Sequence, residues 1–589
     1  MSRFLYLAEI TAYVPALVSP ANPTGTTVLR VASGLGYVTG SGAAPANTYY
    51  DARIKQPVDI SRSMFDTAST RGLSRIGYGD LILDNLDGAL DDWIDYGFDG
   101  RNVTLYRADL EKTPAPQYSV DFTVAFYGTM ELAEFANDVV TIKLRDRQYE
   151  LKAPLQTTKY AGTNALPNGL EGVATDLKGK PKPICLGAPL NVPALCANTS
   201  RLIYQVHDGA VADIVAVYDR GVSLTRGADY VSQVDMETTA PSAANYRVWP
   251  AGGYFRLGSS PAGLVTCDPV EGSTAADRTA AQIFSRLLNR AAAANPNTAS
   301  KGLSLLTTDT GLTLVTDTGV SIQVSSEVSD ADLIALDAAN SSVLGYWTDA
   351  ETTVGAVCDL VMGSVGAWWG VDLTGVFRAK VFTTPSGTAV ARITPNDLIK
   401  PLVRLAVNDP ERGIPIYRST VRWGRIYAVQ STDLAAATSD ARRAVVTQEW
   451  RESVSTDLTV QASHLFATEL VEDSLLTVEA NAIAESSRRL TLRKNQYDLF
   501  EAIVPMDATF GVVDLGDVVE LAHPRYALSL TGTDSGPLFR VLDVVPNAQA
   551  NTVTLTLWGR TTRPRNLATN GGTLLVTDTG AYLVTAVAA

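Results

Sequence analysis

Histidine is nearly absent from this sequence: there are three in 589 residues, His207, His464 and His523, far apart along the chain. Imidazole is the commonest general base near neutral pH and a frequent metal ligand, so little material is left for either chemistry. Cysteine is almost as scarce. Cys185, Cys196, Cys267 and Cys358 form no CxxC pair and none of the compact spacings of a secreted scaffold. They read as buried free thiols, with a metal or iron–sulfur site and a disulfide as the remaining readings. No stretch approaches the roughly 18 consecutive apolar residues that cross a bilayer. The apolar start from Phe4 is broken by Glu9, and no small-residue cleavage site follows cleanly. It predicts a first strand rather than a signal peptide, in a chain that folds in a cytoplasm or reaches another place by assembly. Positive charge is in deficit: 48 Lys and Arg stand against 62 Asp and Glu, a formal net charge of −14. Long-range attraction of the whole chain to nucleic acid or an anionic membrane is not expected. Carboxylates are plentiful enough to build a hydrolytic site, but no tight acidic signature marks one.

What is present is ordinary globular material, 46% hydrophobic and 19% charged. At about 150 residues per domain the length suggests about four domains. Residues 1–155 carry short alternating runs and turn residues. In Asp138-Val-Val-Thr-Ile-Lys-Leu-Arg145, Val140, Ile142 and Leu144 share one face and Thr141, Lys143 and Arg145 the other, the period of a half-buried strand. Strands at this spacing suggest a barrel or a sandwich. A Gly- and Pro-rich connection between Leu155 and Gly187 marks a boundary. A second strand-rich stretch, 156–267, follows, with runs at Arg201–Val206 and Asp213–Tyr218.

Residues 268–382 change character to α+β. Ser273 or Thr274 is placed to cap a helix in which Ala280, Ile283, Phe284, Leu287 and Leu288 form an apolar stripe, ended by Asn295-Pro296. Thr348-Asp-Ala-Glu351 has the spacing of a capping box ahead of Val354, Val357, Cys358 and Val361. Gly366 to Phe382 then reads as two strands around a turn at Asp372–Gly375. Residues 383–560 return to strands, with a helix expected near Glu479–Leu490 and a strictly alternating strand at Thr552–Trp558. Residues 561–589 read as a C-terminal hairpin tail. The fold class expected is mainly β with an α+β insertion, in several domains.

Each conspicuous motif has a plain reading. Thr-Asp-Thr-Gly recurs at Thr308–Gly311, Thr316–Gly319 and Thr577–Gly580. The aspartates Asp309, Asp317 and Asp578 suit turn capping. An aspartic-protease reading needs two such aspartates brought together in apolar lobes that this pattern lacks. Asp84-Asn-Leu-Asp-Gly-Ala-Leu-Asp-Asp92 fails the calcium-loop register and reads as a capped turn. Gly77-Tyr-Gly79 lacks the context of a phosphate loop. Lys178-Gly-Lys-Pro-Lys-Pro183 is the one compact basic run. It is either a solvated loop or a patch that docks on an acidic face of a neighbouring subunit through Lys178, Lys180 and Lys182. Trp368 and Trp369 point to opposite sides of a strand, which favours core or subunit-interface packing over a carbohydrate platform. No catalytic residue, metal ligand or cofactor is assigned.

Several segments, in this order, resemble the tail baseplate hub proteins of long-tailed bacteriophages, particularly noncontractile-tailed phages of Gram-negative hosts, and of related gene transfer agents. They are Ser74-Arg-Ile-Gly-Tyr-Gly-Asp-Leu-Ile-Leu-Asp-Asn-Leu-Asp-Gly88, Gly100-Arg-Asn-Val-Thr104, Gly179-Lys-Pro-Lys-Pro-Ile-Cys-Leu-Gly187, Tyr204-Gln-Val-His-Asp-Gly209, Gly366-Ala-Trp-Trp-Gly370, Leu515-Gly-Asp-Val-Val-Glu-Leu521 and Leu557-Trp-Gly559. The likeness spans roughly residues 50–560, and its weight lies in the order, because each motif alone is turn and core chemistry. It implies a ring-shaped, usually trimeric hub of β-barrel domains with α+β insertions, so that 1–155 and 383–560 would be its two β-rich hub domains. Such a hub meets the distal tail and tape-measure proteins above and a central fibre below. It sits at the tail tip of the virion after assembly in the host cytoplasm, and opens for DNA without binding it specifically or joining a membrane stably. With no cysteine beyond Cys358, a C-terminal cysteine-bound cluster is disfavoured. A receptor- or carbohydrate-binding tail protein, or a tail-associated hydrolase, is the competing expectation.

Overall fold

The alternation at Val139–Arg145 forms the strand it implies, with Val140, Ile142 and Leu144 at most 1% exposed, in a computed structural model of the chain. The structure describes residues 4–15, 25–65, 70–118, 120–293, 312–315, 321–324, 328–406, 411–526, 528 and 536–561. Around that strand a seven-stranded barrel closes. The circuit runs Phe4–Val14, Gly25–Ser33, Tyr49–Gln56, Arg75–Asp84, Val139–Arg145, Thr123–Phe135, Asn102–Asp109 and back to Phe4–Val14. Every pairing is antiparallel except that of Gly25–Ser33 with Tyr49–Gln56. Closure leaves no free edge in this circuit and turns Ala8, Ile10, Leu81, Leu83, Val103 and Leu105 into its core. Gly77 and Gly79 lie inside the strand Arg75–Asp84. A Cβ on Gly79 would stand 2.8 Å from the Ile60 side chain, so the glycine there permits close packing.

The C-terminal third supplies a six-stranded sheet in the order Ala391–Ile393, Val518–Leu521, Leu538–Asn547, Thr552–Gly559, Asp498–Pro505, Val403–Leu405. The short strand Ser61–Ser63 stitches it to the barrel, pairing with Leu538–Asn547 on one side and Arg75–Asp84 on the other. Both sheets therefore drain into one apolar cluster, in which Trp558 stacks on Tyr497 at 4.1 Å between ring centroids and meets Phe382 at 4.9 Å.

Residues 192–270 form two small sheets over a shared core of Val192, Val206, Ile214, Val217, Tyr246, Phe255 and Cys267. The strand Val265–Val270 runs across the expected limit at 267. In the α+β body, the helices Ala280–Ala293, Asp330–Ala339 and Val354–Ser364 surround the hairpin Ala367–Val371 and Phe377–Val381. The predicted stripe Ala280, Ile283, Phe284, Leu287 and Leu288 is fully buried. Thr274, in a capping box with Asp277, caps a separate short turn, Ala275–Arg278, because Thr279 returns to extended backbone before the helix begins. The expected stop at Asn295-Pro296 lies outside the described residues.

The capping box at Thr348–Glu351 is not used. Thr348 ends the strand Gly345–Thr348, paired with Ile184–Gly187, so it cannot open a helix. The helix is capped instead by Thr353, whose Oγ1 accepts the Ala356 N–H at 3.3 Å. The helix expected near 479–490 runs Glu479–Arg493 and lies across a three-stranded sheet, Arg451–Thr456, Ile416–Trp423 and Thr468–Asp473. Val421, Trp423, Leu475, Leu476 and Ala482 of this insertion pack into the core of the α+β body. Thr353→Ala is expected to cost about 1 kcal/mol, seen as a lower urea midpoint.

Candidate functional site

Three bodies meet at a buried junction built around Arg62. Its strand, Ser61–Ser63, is already shared by the barrel and the C-terminal sheet, which points the side chain inward at 6% exposure. The guanidinium reaches the Asp514 carboxylate with Nη1 and the Val371 carbonyl with Nη2. Asp146, wholly buried beside it, accepts N–H bonds from Gly77 at 2.7 Å and Gln148 at 3.0 Å. Burial pushes the Asp146 carboxyl up to about 6, against the pull of those two bonds and of Arg62.

Three of the seven motifs that carry the resemblance, at Ser74–Gly88, Gly366–Gly370 and Leu515–Leu521, meet here. Ser74 donates its N–H to the Trp369 carbonyl at 2.9 Å, and its Oγ accepts from the Gln148 amide. Gly370 has no room for a Cβ, which would stand 2.1 Å from the Ser74 Oγ. Gly516, at φ +81°, lies against the indole of Trp368, where a Cβ would approach to 2.9 Å. Segments separated by more than four hundred residues in sequence are thus the facing sides of one joint.

A second joint is ionic. Arg489, 0% exposed, binds Glu485 at 2.7 Å and Glu472 at 2.9 Å and donates to the carbonyls of Gly363 and Ser364 at the C-terminal end of helix Val354–Ser364. The Gly363 carbonyl also accepts the Gly366 N–H at 3.2 Å, and the cation adds to its bonding, gives the Ser364 carbonyl a donor and meets the negative end of the helix dipole. Arg493 donates to Thr70 Oγ1 at 2.6 Å, and the Thr70 N–H donates to Glu411 at 2.7 Å. Burial alone would raise Glu485, but Arg489 and Arg488 hold it below the usual carboxylate value. The Glu485–Arg489 spacing is visible in sequence, on the helix expected near Glu479–Leu490. Nothing in sequence marks Arg62.

The candidate contact residues fall in two classes. Trp368 and Trp369 are 3% and 1% exposed. One packs into the core shared by barrel and C-terminal sheet and the other into the α+β core, where Trp369 Nε1 donates to Asp359 at 2.8 Å. The subunit contact expected of the pair has no surface to use, because the α+β helices cover one ring and the C-terminal sheet the other. Lys182 is committed to Glu171 at 2.7 Å and lies over the Tyr160 ring. Lys178 and Lys180 are exposed on a loop fixed by backbone bonds between Tyr160 and both Gly179 and Lys180.

The remaining candidates are accounted for by packing. His207 is buried, its Nδ1 accepting the Cys185 N–H at 2.9 Å. Burial, aided by Arg290 and Arg286, lowers its pKa to about 3, so it is neutral. Cys185, Cys267 and Cys358 are buried and Cys196 is half-buried, all with free thiols. Burial pushes each thiol up, which makes them poor nucleophiles. The turn at Asp84–Asp92 is capped by its own backbone, with Asp84 accepting from Leu86 and Asp87 from Ala89, while Asp87 also binds Arg53 at 2.6 Å. Among the described residues no three His, Cys, Asp or Glu side chains gather to hold a metal ion. Asp309, Asp317 and Asp578 lie outside the described residues. A polar cleft of about 900 Å³, lined by Arg404, Asp457, His464, Lys494 and Asp498, was not visible in sequence. Its charges pair with each other, Arg404 with Asp498 and Lys494 with Asp457.

No protein-family model matches the chain, and no curated protein matches it. Among solved structures it is similar to a tail protein from Neisseria meningitidis MC58, at 10% identity and TM-score 0.38, covering 85% of this chain and 91% of that one. It is also similar to the 43 kDa tail protein of prophage MuSo2 from Shewanella oneidensis, at 8% identity and TM-score 0.32, covering 87% and 95%. A chain from the virion of a native gene transfer agent particle aligns at 14% identity and TM-score 0.34, covering 69% and 91%.

Removing Arg489 leaves Glu485 with Arg488 at 2.7 Å and Glu472 with Arg493 at 3.3 Å but takes a buried cation from both and its bonds from the Gly363 and Ser364 carbonyls, so Arg489→Ala is expected to lose roughly 1–3 kcal/mol, measured by chemical denaturation. His207 binds a proton far more readily unfolded than folded. Its contribution to stability is present above about pH 6.5 and disappears as pH falls toward 3. His207→Gln should therefore flatten the stability curve in that window by a few kcal/mol relative to wild type. Asp146 acts in the opposite direction between its ordinary value and about 6, and the difference between the two proteins removes it.

Proposed function

We propose that the chain is a structural tail protein of a phage-like particle, the hub that closes the tail tube. In this reading copies form a ring, a homotrimer, that meets the distal tail and tape-measure proteins on one side and the central fibre on the other. The ring opens as a conduit when DNA leaves. The observation that carries the reading is the junction at Arg62. Three of the segments that resemble hub proteins, those containing Ser74, Trp368–Gly370 and Gly516, are the facing sides of a joint that fixes a closed barrel, a second β sheet and an α+β body to one another. A chain invested in rigid joints, with His207 and its cysteines consumed by packing, suits a protein whose work is geometric. The surplus of 14 negative charges suits a DNA passage, since acidic walls repel phosphate where basic walls would retain it. The receptor- or carbohydrate-binding reading used the Trp368–Trp369 hairpin as its contact, and both rings are interior. Gold-labelled antibody against this chain is expected to mark only the distal end of isolated tails. Label along lateral fibres, or purified protein that blocks adsorption to host cells, would contradict the hub assignment.

A further inference from the structure

A chain with a net charge of −14 repels its own copies at long range, so self-association needs a local inversion of sign. The loop at Lys178–Lys182 is the one compact basic run, and within it Lys178 and Lys180 are exposed with no acidic partner among the described residues. The loop is stiff. Gly179 and Lys180 are tied by backbone bonds to Tyr160 and Leu177, and Lys182 is anchored on Glu171 at 2.7 Å.

A surface of opposite character lies on the barrel. Between Asn85 and Gly100 there is no Lys or Arg, and Asp91, Asp92 and Asp95 are exposed on a short helical turn without a cationic partner among the described residues. Leu86 and Ile94 stand among them, 75% and 64% exposed. This surface is stiff too. The Asn85 side chain accepts from the Leu90 N–H and donates to Asp91, both at 2.8 Å, and Leu90 and Phe98 anchor the turn in the barrel core. Exposed carboxylates and exposed aliphatic side chains on one turn supply the polar and apolar components of a docking surface.

We infer that these two surfaces meet between copies, Lys178 and Lys180 of one chain seating on the Asp91–Asp95 turn of the next, with Leu86 and Ile94 covered by the contact. The second copy is the occupant because the complementary patch is on the same chain. Two unlike patches make a head-to-tail contact, which closes into a ring when the rotation per copy permits. The inference rests on the ring reading above and names its interface.

Sedimentation velocity of the full chain at about 0.05 and 0.5 M salt tests it. Wild type is expected to associate at low salt and less at high salt. Lys178→Glu with Lys180→Glu should weaken association by about tenfold or more, as should Asp92→Lys with Asp95→Lys, and the four changes combined should restore it to within about threefold. Unchanged melting curves show that each variant is folded. Association indifferent to the reversals, or a combined variant that is not restored, overturns this interface and leaves the ring intact. A wild type that is monomeric at every concentration overturns both.

Discussion

A buried guanidinium bound to a carboxylate from one body and a carbonyl from another is the constraint on which the rest of this structure depends. Arg62 sits on a strand that two sheets already share, and its planar fork reaches Asp514 in the C-terminal sheet region and Val371 at the end of the tryptophan hairpin. Apolar burial around it supplies the bulk of the stabilisation and is indifferent to exact orientation. The ion pair and the carbonyl bond are directional. They favour the one arrangement of the three bodies in which the Arg62 guanidinium keeps both partners, and sliding of one body against another would leave that buried cation unpaired at a cost of roughly 3–5 kcal/mol.

The second joint extends the same logic. The insertion 416–493 leaves the C-terminal sheet, carries its own three strands and three helices, and returns. Its apolar face completes the α+β core, and Arg489 and Arg493 fix it to Gly363, Ser364 and Thr70. The chain therefore crosses between bodies repeatedly rather than passing through them in series. Such interlacing resists relative motion of the parts. It suits the structural role proposed above.

Local periodicity was legible in the sequence wherever one face of an element is buried. The strands at Val139–Arg145 and Thr552–Gly559, the helix stripe from Ala280 to Leu288 and the hairpin at Ala367–Val381 all stand as their patterns imply. The failures have physical causes. Thr348–Glu351 matches a capping box, but strand pairing with Ile184 claims Thr348 first, and a cap two turns of logic away at Thr353 does the work. Trp368 and Trp369 lie on opposite faces of a strand, as the alternation implies, yet sequence does not show that both faces are covered by the same chain, one by helices at 280–364 and the other by the barrel and C-terminal sheet more than a hundred residues away. Arg62 was invisible because a single arginine in a three-residue strand carries no period, and its meaning comes only from what folds against it.

Hydrogen–deuterium exchange on Arg62→Met, compared with wild type, addresses the central claim most directly. Loss of the cation should speed exchange together at Ser61–Ser63, at the hairpin turn after Val371 and around Asp514–Val518. The barrel strand Val139–Arg145 and the small sheets of residues 192–270 should stay protected. Acceleration confined to Ser61–Ser63 would contradict it, by showing that the three bodies are held together without the bond that joins them.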